Sequence, residues 1–124
     1  MRLFTFCMPR ITLLLLSGGG HTGRNVLAAL GQRRHLFRVV TTTDVADEPA
    51  VYEFDAAYVT PAISVDADGF AREFTKILAC EAPALVIPCR DEDVAWLARY
   101  AENHPHSSSE FLCGNAVLAQ TVND

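Results

Sequence analysis

Residues 17–25, Ser-Gly-Gly-Gly-His-Thr-Gly-Arg-Asn, directly follow an unbroken apolar run from Ile11 to Leu16. Within them Gly18, Gly20 and Gly23 stand in a Gly-x-Gly-x-x-Gly pattern, and Asp44 lies 21 residues past Gly23. Glycines let backbone N–H groups at a helix start close in on an anion, and an acid at that distance can hold a ribose hydroxyl. The same loop can equally serve only to turn the chain from strand into helix, and Asp44 can simply cap a turn. A second concentration of chemistry is Pro88-Cys89-Arg90-Asp91-Glu92-Asp93, one cation beside three carboxylates. Carboxylates suit the positive end of a helix, which accounts for Asp91 and one further acid but leaves Arg90 unexplained. Cys89 has no flanking histidine base, which argues against a thiolate nucleophile. His21 fits either a ligand hydrogen bond or a solvated loop position. His104 and His106 straddle Pro105 with no cysteine or carboxylate set beside them, so no metal site is expected. Trp96 and Tyr100, four apart on a helix, read as packing or interface residues, which leaves room for a homodimer.

These side chains need elements to position them. The run Ile11–Leu16 has no alternation, as in a parallel strand buried on both faces. Thr22 is the expected N-cap of a helix with the stripe Val26, Leu27, Ala29 and Leu30, and Arg33 and Arg34 are expected at its C-terminal end. Phe37–Thr43 is β-branched and reads as a second strand, broken by Asp47, Glu48 and Pro49. Residues 56–61 read as a third strand, and Asp66 or Asp68 caps a helix with Phe70, Phe74, Ile77 and Leu78 on one side. Pro83 ends it, and Leu85–Pro88 is a fourth buried strand. A helix opened by Arg90–Asp93 carries Val94, Leu97, Ala98 and Ala101 along one side. The polar stretch 104–109 is a surface loop, residues 110–113 make a fifth short strand, and Asn115 begins a last helix with Val117, Leu118 and Val122. Alternation of strand and helix predicts an α/β fold: a Rossmann-like, three-layer open parallel sheet of about five strands, with helices on both faces and right-handed crossovers. Loops 17–23, 41–49 and 88–93 would then meet at the carboxyl edge of the sheet, where ligands bind.

Composition narrows the partners. A chain of 124 residues has the length of one domain. Half of it is hydrophobic and a fifth charged, as in a folded domain. A net charge of −5, with Lys and Arg scattered apart from Arg33-Arg34, provides no basic stripe for nucleic acid. No run approaches the roughly 18 apolar residues that span a membrane. Pro9 and Arg10 interrupt the apolar N-terminus, which disfavours a secretory signal, and Met8 would serve as an alternative start. The four cysteines contain no Cys-x-x-Cys pair and read as reduced, mostly buried thiols, so a cytoplasmic location is expected. Residues 1–9 are taken as an extension or edge segment and residues 10–124 as one domain.

Four pieces in order resemble the N-terminal, pre-ATP-grasp domain of ATP-grasp ligases, particularly carbamoyl-phosphate-synthase large-chain-like proteins. They are residues 13–30, with the strand, glycine loop and helix; residues 41–61, ending in Asp55, Tyr58, Val59 and Pro61; residues 84–98, with Pro88, Asp91 and Glu92; and the terminal stretch 114–124. The likeness spans roughly residues 10 to 124, and the sequence stops where the ATP-grasp domain of that family would begin. It implies that Gly18, Gly19, Gly20, His21, Thr22 and Gly23 contact substrate or close over it. Asp44 would join the substrate side, while Arg90, Asp91 and Glu92 would orient a small-molecule carboxylate or amine. ATP and Mg2+ would be held by the ATP-grasp domain of the parent chain, the implied partner of this fragment. The parent reaction would be activation of a carboxylate to an acyl phosphate followed by amine attack, which this fragment alone should not catalyse. The rival is an NAD(P)-binding domain of an oxidoreductase, supported by the glycine pattern and Asp44. It lacks support from any Tyr-x-x-x-Lys, since Tyr52, Tyr58 and Tyr100 are followed four residues on by Ala56, Ala62 and His104. A non-catalytic binding module is the third possibility.

Overall fold

The computed structural model describes residues 9–113. In it the apolar run Ile11–Leu16 forms β1, the central strand of a five-stranded, all-parallel sheet, with β2 Phe37–Thr43, β3 Ala56–Val59, β4 Leu85–Pro88 and β5 Glu110–Phe111. The order across the sheet is β3-β2-β1-β4-β5. The strand lacks alternation because both of its faces are covered. Leu13 and Leu15 pack with Val39 and Phe54 against Val26, Leu27 and Leu30 of helix α1, His21–Leu30. Leu14 and Leu16 pack on the opposite face with Val40, Val86, Phe70, Phe74, Ile77 and Leu97. The last four belong to two helices, α2 Ala67–Glu81 and α3 Asp91–Asn103. Helices thus cover both faces, giving the expected three layers.

The α2–α3 face carries the larger side chains. Phe74 is fully buried, with the rings of Trp96 and Tyr100 set edge-on to it at 5.1 and 4.8 Å. The spacing of four between Trp96 and Tyr100 therefore serves packing, and His104 continues the stack on Tyr100 at 3.9 Å. Edge-on aromatic pairs add about 1 kcal/mol beyond the area they bury.

Several boundaries differ from those expected. Helix α1 begins at His21 with Gly20 as its N-cap and no side-chain cap, so Thr22 sits inside the first turn and caps nothing. The glycine loop is tight enough to start the helix at once. Arg33 and Arg34 lie beyond α1 in a short 3-10 turn, Gly31–Leu36, because Gly31 at φ 49° ends the α-helix first. Arg34 instead bonds the Asp55 carboxylate at 3.0 Å. Asp66 caps α2 by accepting from the Gly69 N–H at 2.9 Å, while Asp68 lies in the first turn. β3 and β5 are shorter than expected. The last helix expected from Asn115, and residues 1–8, lie outside the described residues.

Asp55 and Tyr58 prove to be tie points along the β3 edge of the sheet. Asp55 accepts from the Val39 N–H at 2.7 Å and pairs with Arg10 and Arg34. These contacts outweigh the cost of partial burial and hold its carboxyl below the usual range. Tyr58 donates its hydroxyl to Glu81, which also takes Arg38 at 2.8 and 3.2 Å. That set links β2, β3 and the C-terminal end of α2. Cys80, expected among buried thiols, is exposed on α2, whereas Cys89 and Cys113 are half-buried. Cys80 sits at the flank of the stripe that packs on the sheet, with its sulfur 3.7 Å from the Tyr58 hydroxyl of β3.

Candidate functional site

Strand order reverses at β1, where the chain first winds toward β2 and β3 and then crosses to β4. At the carboxyl ends of strands, such a reversal leaves a crevice between the departing loops. A cleft of about 330 Å³ opens there. Gly19, Gly20, His21 and Thr22 form one wall and Thr42, Thr43 and Asp44 another, with Glu48 from the loop after β2. Ser17, Cys89 and Arg90 complete it.

The glycine loop divides by function within a few residues. Ser17 sits at φ 59°, a left-handed conformation that costs a non-glycine residue about 1 kcal/mol or more. Its N–H donates to Thr42 Oγ1 at 3.0 Å, and the Gly18 N–H donates to Thr41 Oγ1 at 2.8 Å. The Thr41 hydroxyl in turn donates to the Leu15 carbonyl at 3.1 Å. The first two N–H groups of the loop are thus committed to β2. A Cβ on Gly18 would come within 2.7 Å of Thr41 Oγ1, and one on Gly23 within 1.8 Å of the Gly18 carbonyl oxygen. Gly18 lets the loop lie against Thr41 and Phe54, and Gly23 lets α1 lie close on the loop. Gly20 differs, since a Cβ there would meet nothing within 4 Å. The open part of the loop is therefore Gly20 and the uncapped start of α1.

Arg90 is the electrostatic hub. Its Nη1 lies 3.6 Å from Asp44, its Nη2 3.2 Å from Glu92 and its Nε 3.4 Å from Asp93. Each nitrogen of the guanidinium faces a different carboxylate, which ties the end of β2 to the first turn of α3. Burial acts to lower the Arg90 pKa, but the surrounding carboxylates more than reverse this. Asp93 is fully buried behind Arg90. Its Oδ1 has no hydrogen-bond partner among the described residues. Burial pushes its carboxyl above the usual range, against the opposing pull of the Arg90 charge and of hydrogen bonds from Arg90 and the Ser17 hydroxyl. Burial, with the Asp93 charge behind it, also pushes the Cys89 thiol up to about 12. A thiol in that state is an inert packing group.

Six of the residues singled out from sequence meet at the cleft: Gly19, Gly20, His21, Thr22, Asp44 and Arg90. Gly18 and Gly23 lie behind the wall they shape. Asp91 and Glu92 stand in the first turn of α3 but do not line the cleft, and Glu92 reaches it only through Arg90. Sequence reasoning missed Ser17, Thr42, Thr43, Glu48 and Asp93. A threonine run at the carboxyl end of a strand was the available signal for two of them. For Asp93 it was the three-residue spacing from Arg90, which puts both on one side of a helical turn.

No family model matches the chain, and no curated protein matches it. Among solved structures it is similar to a single-chain, multi-domain long-chain acyl-CoA carboxylase, with a TM-score of 0.62 and 16% sequence identity. The likeness covers 92% of this chain and 11% of the carboxylase chain. At that identity the likeness is one of fold: a five-stranded parallel α/β domain of a kind also found as one part of a much longer carboxylase.

Proposed function

We propose that this chain is the substrate-side domain of an ATP-dependent carboxylate–amine ligase of the ATP-grasp, carbamoyl-phosphate-synthase-like kind. The observation that carries this reading is the cleft. It joins the glycine loop, the end of β2 and the element after β4, three of the pieces on which the sequence resemblance rests. A domain of this fold within a multi-domain acyl-CoA carboxylase is in keeping with it. Gly20, His21, Thr22, Asp44 and Arg90 would contact the acceptor substrate, while Gly18 and Gly23 give the wall its shape. ATP and Mg2+ would be bound by an ATP-grasp domain of the parent protein, and the residues here would bind and orient rather than transfer phosphate.

The glycine pattern keeps a dinucleotide-binding alternative alive, because Gly18 and Gly23 play the close-packing roles which that fingerprint assigns them. Against it, the Ser17 and Gly18 N–H groups are taken by the β2 threonines instead of being open to a pyrophosphate. Two measurements separate the readings. In the parent protein, ADP release should depend on a carboxylate and an amine together, and Asp44→Asn should raise the acceptor KM while leaving the KM for ATP unchanged. Fluorescence titration of the 124-residue chain with NADH should show no tight quenching. Micromolar NADH binding, or ADP release indifferent to the acceptor, would overturn the proposal.

A further inference from the structure

The cleft has more acid than its one arginine can balance. Asp44 and Glu48 line it, and Glu92 and Asp93 face the same guanidinium from behind. Arg90 has a carboxylate on each of its nitrogens, so an incoming anion meets a guanidinium whose charge is already shared among three acids. The two loop N–H groups nearest β1, which an anion would also use, are held by Thr42 and Thr41. Among the described residues Asp44 is bound at 3.6 Å by a half-exposed arginine, and Glu48 accepts a long contact, 3.5 Å, from the Ala50 N–H. Acceptor capacity is therefore left over at the mouth of the cleft. Independently, the buried carboxyl of Asp93, lying against the lining residues Ser17 and Arg90, keeps one oxygen without a partner among the described residues. A buried acceptor in that condition calls for a donor that the described residues do not supply.

We infer that this cleft takes its ligand through a primary ammonium group, with Asp44 as the specificity-determining residue and Glu48 as the second acceptor. This rests on the reading of the cleft as an acceptor-substrate site and selects, between the carboxylate and the amine, the amine. An ammonium group supplies three donors and one positive charge, which matches two under-used carboxylates. A carboxylate, phosphate or pyrophosphate would find open N–H groups at the start of α1, but it would sit beside Asp44 and Glu48 and meet an arginine whose charge three acids already share.

The test uses the 124-residue chain in amide-resolved NMR titrations with three small probes: glycinamide, propionate and inorganic phosphate. Glycinamide should shift the resonances of Gly19–Thr22, Asp44 and Glu48 saturably, and the two anions should bind at least about tenfold more weakly. Asp44→Asn should weaken glycinamide by about tenfold. Glu73→Gln, on α2 beside Lys76 and away from the cleft, should leave it within about threefold. Equal or tighter binding of either anion, or no loss in Asp44→Asn while the amide spectrum stays folded, would overturn the inference. Amine-selective binding without acceptor-dependent ADP release by the parent would sink the ligase reading and leave this one standing. The reverse pattern would do the opposite.

Discussion

Gly20 and Gly23 are three residues apart and tolerate change very differently. A methyl group on Gly23 would be driven into the Gly18 backbone, and neither partner is a flexible side chain. Gly23→Ala should therefore cost about 3 kcal/mol or more in urea unfolding. Gly20→Ser meets open space and is a better N-cap than glycine, so stability should hold or rise by a few tenths of a kcal/mol. The serine oxygen would then occupy α1 N–H groups at the cleft, which an ammonium group does not use, so glycinamide binding should change little. Arg90→Met gives a second prediction at this scale. It leaves Asp93 buried without its counter-charge, at a cost of about 2 kcal/mol at pH 7 after allowing for the arginine's partial exposure. The sign of its pH dependence follows from the raised Asp93 pKa. A group whose folded pKa is raised contributes stability below its unfolded pKa, and this is lost as pH rises through the folded value. The variant should thus be closest to the unchanged protein near pH 4 and fall behind it toward pH 7. A deficit that grows on acidification would contradict this assignment.

At the scale of elements, the tie from β2 and β3 to the end of α2 runs through one carboxylate. Glu81 is held below the usual range by the Arg38 hydrogen bond first, and by Tyr58 as well, against the cost of burial. Tyr58→Phe removes one donor and leaves Arg38, so about 1 kcal/mol should be lost in thermal or urea unfolding. Because the folded Glu81 pKa is depressed, its contribution is present above the unfolded pKa near 4 and disappears as pH falls through the folded value. The Tyr58→Phe difference should accordingly shrink below about pH 4. The ranges of β1, β2 and β4 were legible because buried parallel strands are written as apolar or β-branched runs. The N-cap of α1 was not. Thr22 has the right chemistry, but the loop needs only Ser17 in a left-handed turn and three glycines to reach helical geometry. The site was half legible for a related reason. Gly20 and Arg90 announce themselves locally, whereas the contact of Asp44 with Arg90, or of Glu48 with Gly19, exists only once strand order is fixed. Asp93 looked like one more acid favouring a helix start; its three-residue spacing from Arg90 sets it apart from Asp91, but its burial exists only once α3 is packed on the sheet.

For the molecule as a whole, the two helical layers set which groups solvent can reach. Cys80 is exposed on α2, while Cys89 is half-buried beside Asp93 with its thiol pushed up to about 12. Brief treatment with iodoacetamide at pH 8 should therefore label Cys80 well before Cys89, as read by peptide mass spectrometry. Equal labelling would mean that the cleft opens much further than its packing indicates. No helix among the described residues is long and apolar enough to cross a membrane. The pairing of the Ser17 and Gly18 N–H groups with the β2 threonines also bears on kinetics. A wall stapled to the sheet has little to order when a ligand arrives, so binding should pay little loop entropy. Association should then be a single phase whose rate rises linearly with ligand concentration, without the plateau that a slow conformational step imposes.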